Sequence, residues 1–164
     1  MQQPIILGIA GHNYVVLRDN NNTIVDELHG LASDPTTGEW KTIGRSKTDK
    51  LKVFEFNTSR YNTPQYFSAE KKYAGIALLK GDEQEVKNTW QKGIVCKDKI
   101  NALDLPYPPY GVALGRETEN SNSVAYTLTR CMLLDAEHLG LITPGWGKDL
   151  LDSRSLDKLE INRR

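Results

Sequence analysis

Cysteine is nearly absent from this chain, net charge is absent altogether, and no apolar run is long; each shortage closes off a class of protein. Only Cys96 and Cys131 occur among 164 residues. Both fall in stretches expected to be helical, and two cysteines make neither a disulfide framework nor a metal motif, so they are expected to be small buried apolar side chains. No Cys, His and carboxylate spacing of the kind zinc sites use is present, so no metal and no cofactor is expected. Acidic and basic residues number 21 each. Such a balance offers no broad positive field, and nucleic acid drops out as a partner. No run approaches the length that spans a bilayer, so no transmembrane segment is expected. Met1 to Gly8 lacks the basic and apolar regions of a signal peptide. The expectation is therefore a cytoplasmic protein as synthesised, with any export left to a specialised secretion system.

What is present suits one α+β domain. A chain of this length buries roughly two-thirds of its unfolded surface, enough for a single core. No repeat is visible, and residues 1–152 read as one domain followed by a charged tail, 153–164. Ile5 to Ala10, Asn13 to Leu17 and Thr23 to Leu28 are apolar, β-branched runs. The cluster Asp19-Asn20-Asn21-Asn22 between the last two is a hairpin signal, since Asn tolerates positive φ. Folding back on that turn brings His12 near His29 and Gly30, and Tyr14 near Glu27 or Leu28, with the register left open. Ala32 to Lys50 reads as a surface loop turning at Asp34-Pro35-Thr36-Thr37-Gly38 and anchored by Trp40 and Ile43. Leu51 to Phe56 alternates at the strand period, and Tyr73 to Leu79 reads as a further buried strand.

Helical signals dominate the second half. Asp82 with Glu85 three residues on has capping-box spacing, and Val86, Trp90, Ile94, Ile100 and Leu103 follow at helical intervals, predicting a helix over 83–102 bent at Gly93. Leu105 to Gly111 is proline-rich and cannot be helical. A second helix is predicted from Ser121 to about Leu134, with Val124, Leu128 and Cys131 or Met132 facing inward. Its opening, Asn120-Ser121-Asn122-Ser123, is on the bland reading a well-made cap. On the sharper reading one serine is a nucleophile, seated where the helix dipole and free N–H groups favour developing negative charge. A serine hydroxyl then needs a base and a group that orients the base. Of the three histidines, His138 sits at the far end of that helix and points away, while His12, His29 and Glu27 converge at one end of the hairpin. Asn120, Asn122 and Tyr14 are the candidates for holding an oxyanion or positioning a substrate, and Tyr107, Tyr110 and Trp146 for walling a groove.

Gly-His-x-Tyr-Val-Val-Leu on an early strand, a polar residue on the next strand and Asn120-Ser121-Asn122-Ser123-Val124 opening a late helix resemble the circularly permuted papain-like, or NlpC/P60-like, superfamily. That superfamily includes lecithin:retinol-acyltransferase-like and desumoylating isopeptidase-like enzymes. Its nucleophile is a cysteine in an Asn-Cys-x-x-Phe context; here Ser121 stands in the cysteine position and Val124 in the aromatic one. The resemblance implies a small antiparallel sheet packed against helices. It also implies a hydrolase or acyltransferase acting on an amide or ester bond, with Ser121 or else Ser123 attacking, His12 as base and Glu27 or His29 orienting it. Implied substrates are a peptide, a peptidoglycan-like polymer or an acyl ester, in the setting of a bacterial effector or toxin. The competing expectation is a non-catalytic binding module, or a phage or immunity accessory protein that keeps the scaffold and binds a protein partner.

Overall fold

Alternation in the first 57 residues and helical periodicity after residue 82 produce a sheet followed by two helices. The computed structural model of the chain describes residues 2–7, 10–41, 43–57, 77–108, 118–135 and 144–152, with side chains placed from His12 onward. The strands are β1 (Gln2–Leu7), β2 (Ala10–Arg18), β3 (Ile24–Ser33), β4 (Trp40–Lys41) and β5 (Lys50–Glu55), and the helices are α1 (Glu83–Ala102) and α2 (Ser121–Cys131). The coarse α+β expectation, an antiparallel sheet packed against helices, describes this arrangement.

The asparagine turn forms the hairpin as its chemistry requires. Asp19 Oδ1 accepts from the N–H groups of Asn21 and Thr23, and Asn22 sits at φ 64°, the left-handed region that Asn tolerates. The register left open by the sequence is Val15 opposite Leu28 and Val16 opposite Glu27, with an irregularity between Leu17 and Arg18. β3 is central. Along one edge it pairs with β5 from Leu28 to Ser33; along the other it meets β2 up to Leu28 and β4 only at Ala32 and Ser33. Between those two neighbours the β3 edge at His29, Gly30 and Leu31 has no strand partner in the ladder. At Gly30 the strand meets α2.

Because side chains alternate across a strand, the register sorts the sheet into two faces. Val15, Leu28, Ala32, Leu51 and Val53 face the helices and form the core with Cys96, Ile100, Val124, Leu128 and Met132. Each of the larger apolar side chains contributes roughly 1.5–3 kcal/mol on burial. Tyr14, Glu27, His29 and Leu31 are buried on the other face.

α1 begins at its expected cap: Asp82 accepts the Glu85 N–H at 2.9 Å. It runs unbroken through Gly93, and the stripe is shifted, with Gly93, Cys96 and Ile100 buried and Leu103 exposed. Gly93 serves contact instead of a bend, for a Cβ there would lie 1.9 Å from Met132 Cε. Two further expectations are corrected. Cys96 and Cys131 are not free: they form a disulfide joining α1 to α2 across a Cα–Cα distance of 6.2 Å. The segment read as a loop from Ala32 continues β3 to Ser33 and adds β4. Its anchor is Asp49, fully buried and accepting from Arg45 N, Ser46 N and Lys41 Nζ, while Trp40 and Ile43 are exposed. Of the strand expected over 73–79, residues 73–76 lie outside the described residues and 77–79 belong to no strand. The tail beyond Asp152, and Tyr110 and His138, also lie outside them.

Candidate functional site

β3 carries Glu27 and His29 two positions apart, which alternation puts on one face, and β2 brings His12 and Tyr14 to the same face. The three titratable groups lie in a line. Glu27 Oε2 is 3.0 Å from His29 Nε2, and His29 Nδ1 is 3.2 Å from His12 Nε2. Both ring nitrogens of His29 are thus used within the line. Aromatic rings hold it in place. Tyr14 stacks on His29 at 4.1 Å between centroids, Phe56 meets the same ring edge-on at 5.4 Å, and Trp40 packs edge-on against Phe56. His29 and Tyr14 are fully buried and Glu27 nearly so, whereas His12 at the end of the line is half-buried.

Burial in apolar surroundings disfavours charge on every member. It raises the Glu27 carboxyl to about 8, with the Asp26 charge adding to the rise and Arg18 opposing it. It lowers His12 to about 4. It also lowers His29 well below the usual imidazole value, with the neighbouring His12 contributing. Near neutral pH the line is therefore an uncharged hydrogen-bonded chain, and the Glu27 to His29 contact is a neutral hydrogen bond.

The start of α2 lies on the other side of β3. A Cβ on Gly30 would come within 2.6 Å of Val124 Cβ and 3.0 Å of Ser121 Cα, so the helix rests directly on the face of β3 opposite to His29. Ser121 is nearly buried, and its side chain hydrogen-bonds Tyr107, partly offsetting the rise that burial imposes on the tyrosine hydroxyl. Ser121 thus meets β3 at Gly30, while the His12 ring meets His29. Ser123 is further committed, closing a capping box in which the Asn120 N–H donates to Ser123 Oγ and Ser123 Oγ donates to the Asn120 carbonyl, each at 2.8 Å.

The proposed oxyanion donors are spent in the same way. Asn120 Oδ1 takes the N–H groups of Asn122 and Ser123. The side-chain amides of Asn120 and Asn122 both donate to the Pro144 carbonyl, at 3.0 and 2.9 Å. Asn122 Oδ1 accepts from Asn13 N at 2.9 Å, pinning the helix start to β2. Two of the N–H groups at the helix start are thus satisfied by the cap residue itself. Tyr14 stacks on the histidines instead of standing beside the serines, Tyr107 belongs to the core, and Trp146 packs edge-on against Tyr126.

Sequence reasoning missed a second acidic group on the helix-facing side of β3. Asp26 accepts from Trp90 Nε1 at 3.2 Å and Asn57 Nδ2 at 3.4 Å, and burial with the nearby Glu55 raises it to about 6. Lys97 pairs with Glu55 at 2.7 Å. The parity of Asp26 with Leu28 was the available signal, and it needed the register. Among the described residues no helix is long and apolar enough to cross a membrane. No three or more His, Cys, Asp and Glu side chains among them are grouped so as to hold a metal ion. No protein-family model, no curated protein and no solved structure matches the chain.

Proposed function

We propose that this protein is a hydrolase of amide or ester bonds in which His12 is the general base, His29 and Glu27 hold it, and water is the attacking group. The observation that carries the reading is the unbroken line Glu27, His29, His12. Burying three titratable side chains is costly unless they satisfy one another, and such clusters concentrate at functional sites. Water gives a proton to His12 Nδ1, its oxygen bonds to the substrate carbonyl carbon, and the same proton passes to the leaving nitrogen or oxygen as the tetrahedral intermediate collapses. A positioned base of this kind contributes typically about 10²–10⁴ in rate. If an alcohol or amine takes the place of water, the same step becomes acyl transfer.

Kinship with the permuted papain-like scaffold forms part of the proposal. An early-strand histidine, polar partners on the next strand and a late Asn-capped helix occur in the order that scaffold uses. The substrate classes remain peptide, peptidoglycan-like and acyl-ester. A disulfide between α1 and α2 fits a protein delivered out of the cytoplasm as an effector, since disulfides persist in oxidising surroundings.

Hydrolysis of p-nitrophenyl butyrate and of peptidoglycan fragments is the test, with a fluorophosphonate probe run alongside. Hydrolysis lost in His12→Ala, with no probe adduct on Ser121, is expected. A Ser121 adduct that vanishes in His12→Ala would overturn water as the attacking group. The second reading is a protein-binding module, favoured by the engagement of Ser121 with Tyr107 and of Ser123 with Asn120. Partner capture that survives His12→Ala, together with no hydrolysis of either substrate by the unmodified protein, would replace the first reading by this one.

A further inference from the structure

We propose that Glu27, His29 and His12 form a proton wire in which the protonation state of Glu27 sets the tautomer of both histidines, and so decides whether His12 offers a proton acceptor or a proton donor at Nδ1. The inference deepens the hydrolase reading and takes its catalytic meaning from it. The wire itself is read from geometry alone. His29 touches Glu27 through Nε2 at 3.0 Å and His12 through Nδ1 at 3.2 Å. A neutral imidazole carries one N–H and one lone pair, and the bond made by one nitrogen dictates the state of the other. Two self-consistent arrangements follow.

With Glu27 protonated, its O–H donates to His29 Nε2, His29 Nδ1–H donates to His12 Nε2, and His12 Nδ1 bears a hydrogen. With Glu27 ionised, every bond reverses: His29 Nε2–H donates to the carboxylate, His12 Nε2–H donates to His29 Nδ1, and His12 Nδ1 presents a lone pair. Only the second form is a base. A proton taken at His12 Nδ1 forms one N–H bond there. The His12 Nε2–H bond breaks as His29 Nδ1–H forms, and the His29 Nε2–H bond breaks as Glu27 Oε2–H forms. One proton enters, none leaves, and the negative charge of Glu27 is cancelled without a lasting imidazolium.

The consequence is an apparent basicity unlike that of either histidine. His12 alone, held at about 4 by burial, is a weak base. A proton that can come to rest on Glu27, raised to about 8, is held far more firmly. Among the described residues, charged groups acting on Glu27 are Arg18 on β2, which favours the carboxylate, and Asp26 beside it on β3, which favours the acid. Phe56 meets it from the end of β5 through backbone hydrogen bonds, and Tyr14 covers the His29 ring. Glu27 is thus a positioning residue whose titration is expressed at His12.

Nitrogen-15 NMR of the histidine rings in the full chain, from pH 6.5 to 9.5, reads the tautomers directly. His12 Nδ1 should change from the protonated to the unprotonated type and Nε2 in the opposite sense, with no imidazolium. Carbon-13 observation of the Glu27 carboxyl should titrate with the same midpoint, a requirement that needs no variant. Glu27→Gln should abolish the switch. Tautomers that do not change over this range, midpoints more than a pH unit apart, or a switch that persists in a folded Glu27→Gln protein would overturn the wire. With p-nitrophenyl butyrate the rate should rise roughly tenfold per pH unit below the same midpoint. A tautomer switch without any hydrolysis would uphold the wire and sink the hydrolase reading.

Discussion

Replacing Glu27 by glutamine should flatten a pH dependence of stability that the structure makes large. The carboxyl rises from 4.5 to about 8 because folding buries it. At 1.36 kcal/mol per pH unit that rise corresponds to on the order of 5 kcal/mol across the whole window. Between these values the folded state keeps a proton that the unfolded state has released, so the favourable contribution is complete below pH 4.5 and is lost as pH climbs through 8. His12 acts in the opposite sense. Its fall from 6.5 to about 4 adds stability as pH rises through that lower range, and Asp26 titrates near 6. From pH 6.5 to 8 Glu27 is the largest contributor, its share being a loss on the order of 2 kcal/mol, opposed by under about 1 kcal/mol from His12 and His29 as their unfolded-state imidazoles finish titrating. Urea unfolding with the disulfide intact, measured at both pH values on the wild type and Glu27→Gln, reads the difference as a shift in midpoint. The wild-type midpoint should fall markedly and that of Glu27→Gln should stay nearly constant. Equal pH dependence in the two proteins would refute the electrostatic account of the buried line.

The disulfide closes a loop across a sequence separation of 35, so replacing Cys96 and Cys131 together by alanine should cost about 4 kcal/mol on the chain-entropy model; thiol counting on the unreduced protein should find no reactive cysteine, and two would contradict the pairing. Gly30→Ala places a Cβ 2.6 Å from Val124 Cβ and should destabilise by about 1–3 kcal/mol through overpacking at the helix seat. An unchanged urea midpoint for Gly30→Ala would show that α2 does not rest on β3 there.

Local chemistry was readable without coordinates. Asp82 set the start of α1, Asn120 set the start of α2, and the Asn20 to Asn22 turn brought His12 to His29. What failed to show was everything decided by parity or by contact between distant segments. Val15 opposite Leu28 turns His12 and His29 to one face and leaves Gly30 to receive α2 on the other. A shift of one residue would have exchanged those faces, and no local signal specifies it. The same limit hid the disulfide, because helix periodicity does not say which faces of two helices meet. Glu27 and His29, alternatives for the orienting role in the sequence, stand in series with His12, an arrangement visible only once both ring nitrogens of His29 have partners. Asn120 and Ser123 carried the ambiguity of every polar helix start, where the same residues can cap a helix or line a site, and their hydrogen bonds place them with the cap.

Side-by-side hydrolysis of p-nitrophenyl butyrate by the wild type, His12→Ala and Ser121→Ala, each shown to be folded by circular dichroism, separates the line on β2 and β3 from the serine at the helix start. The proposal predicts a loss of about a hundredfold or more in His12→Ala and a rate within about twofold of wild type in Ser121→Ala, because the Ser121 side chain hydrogen-bonds Tyr107, a residue of the core. Activity abolished by Ser121→Ala and retained by His12→Ala would contradict it.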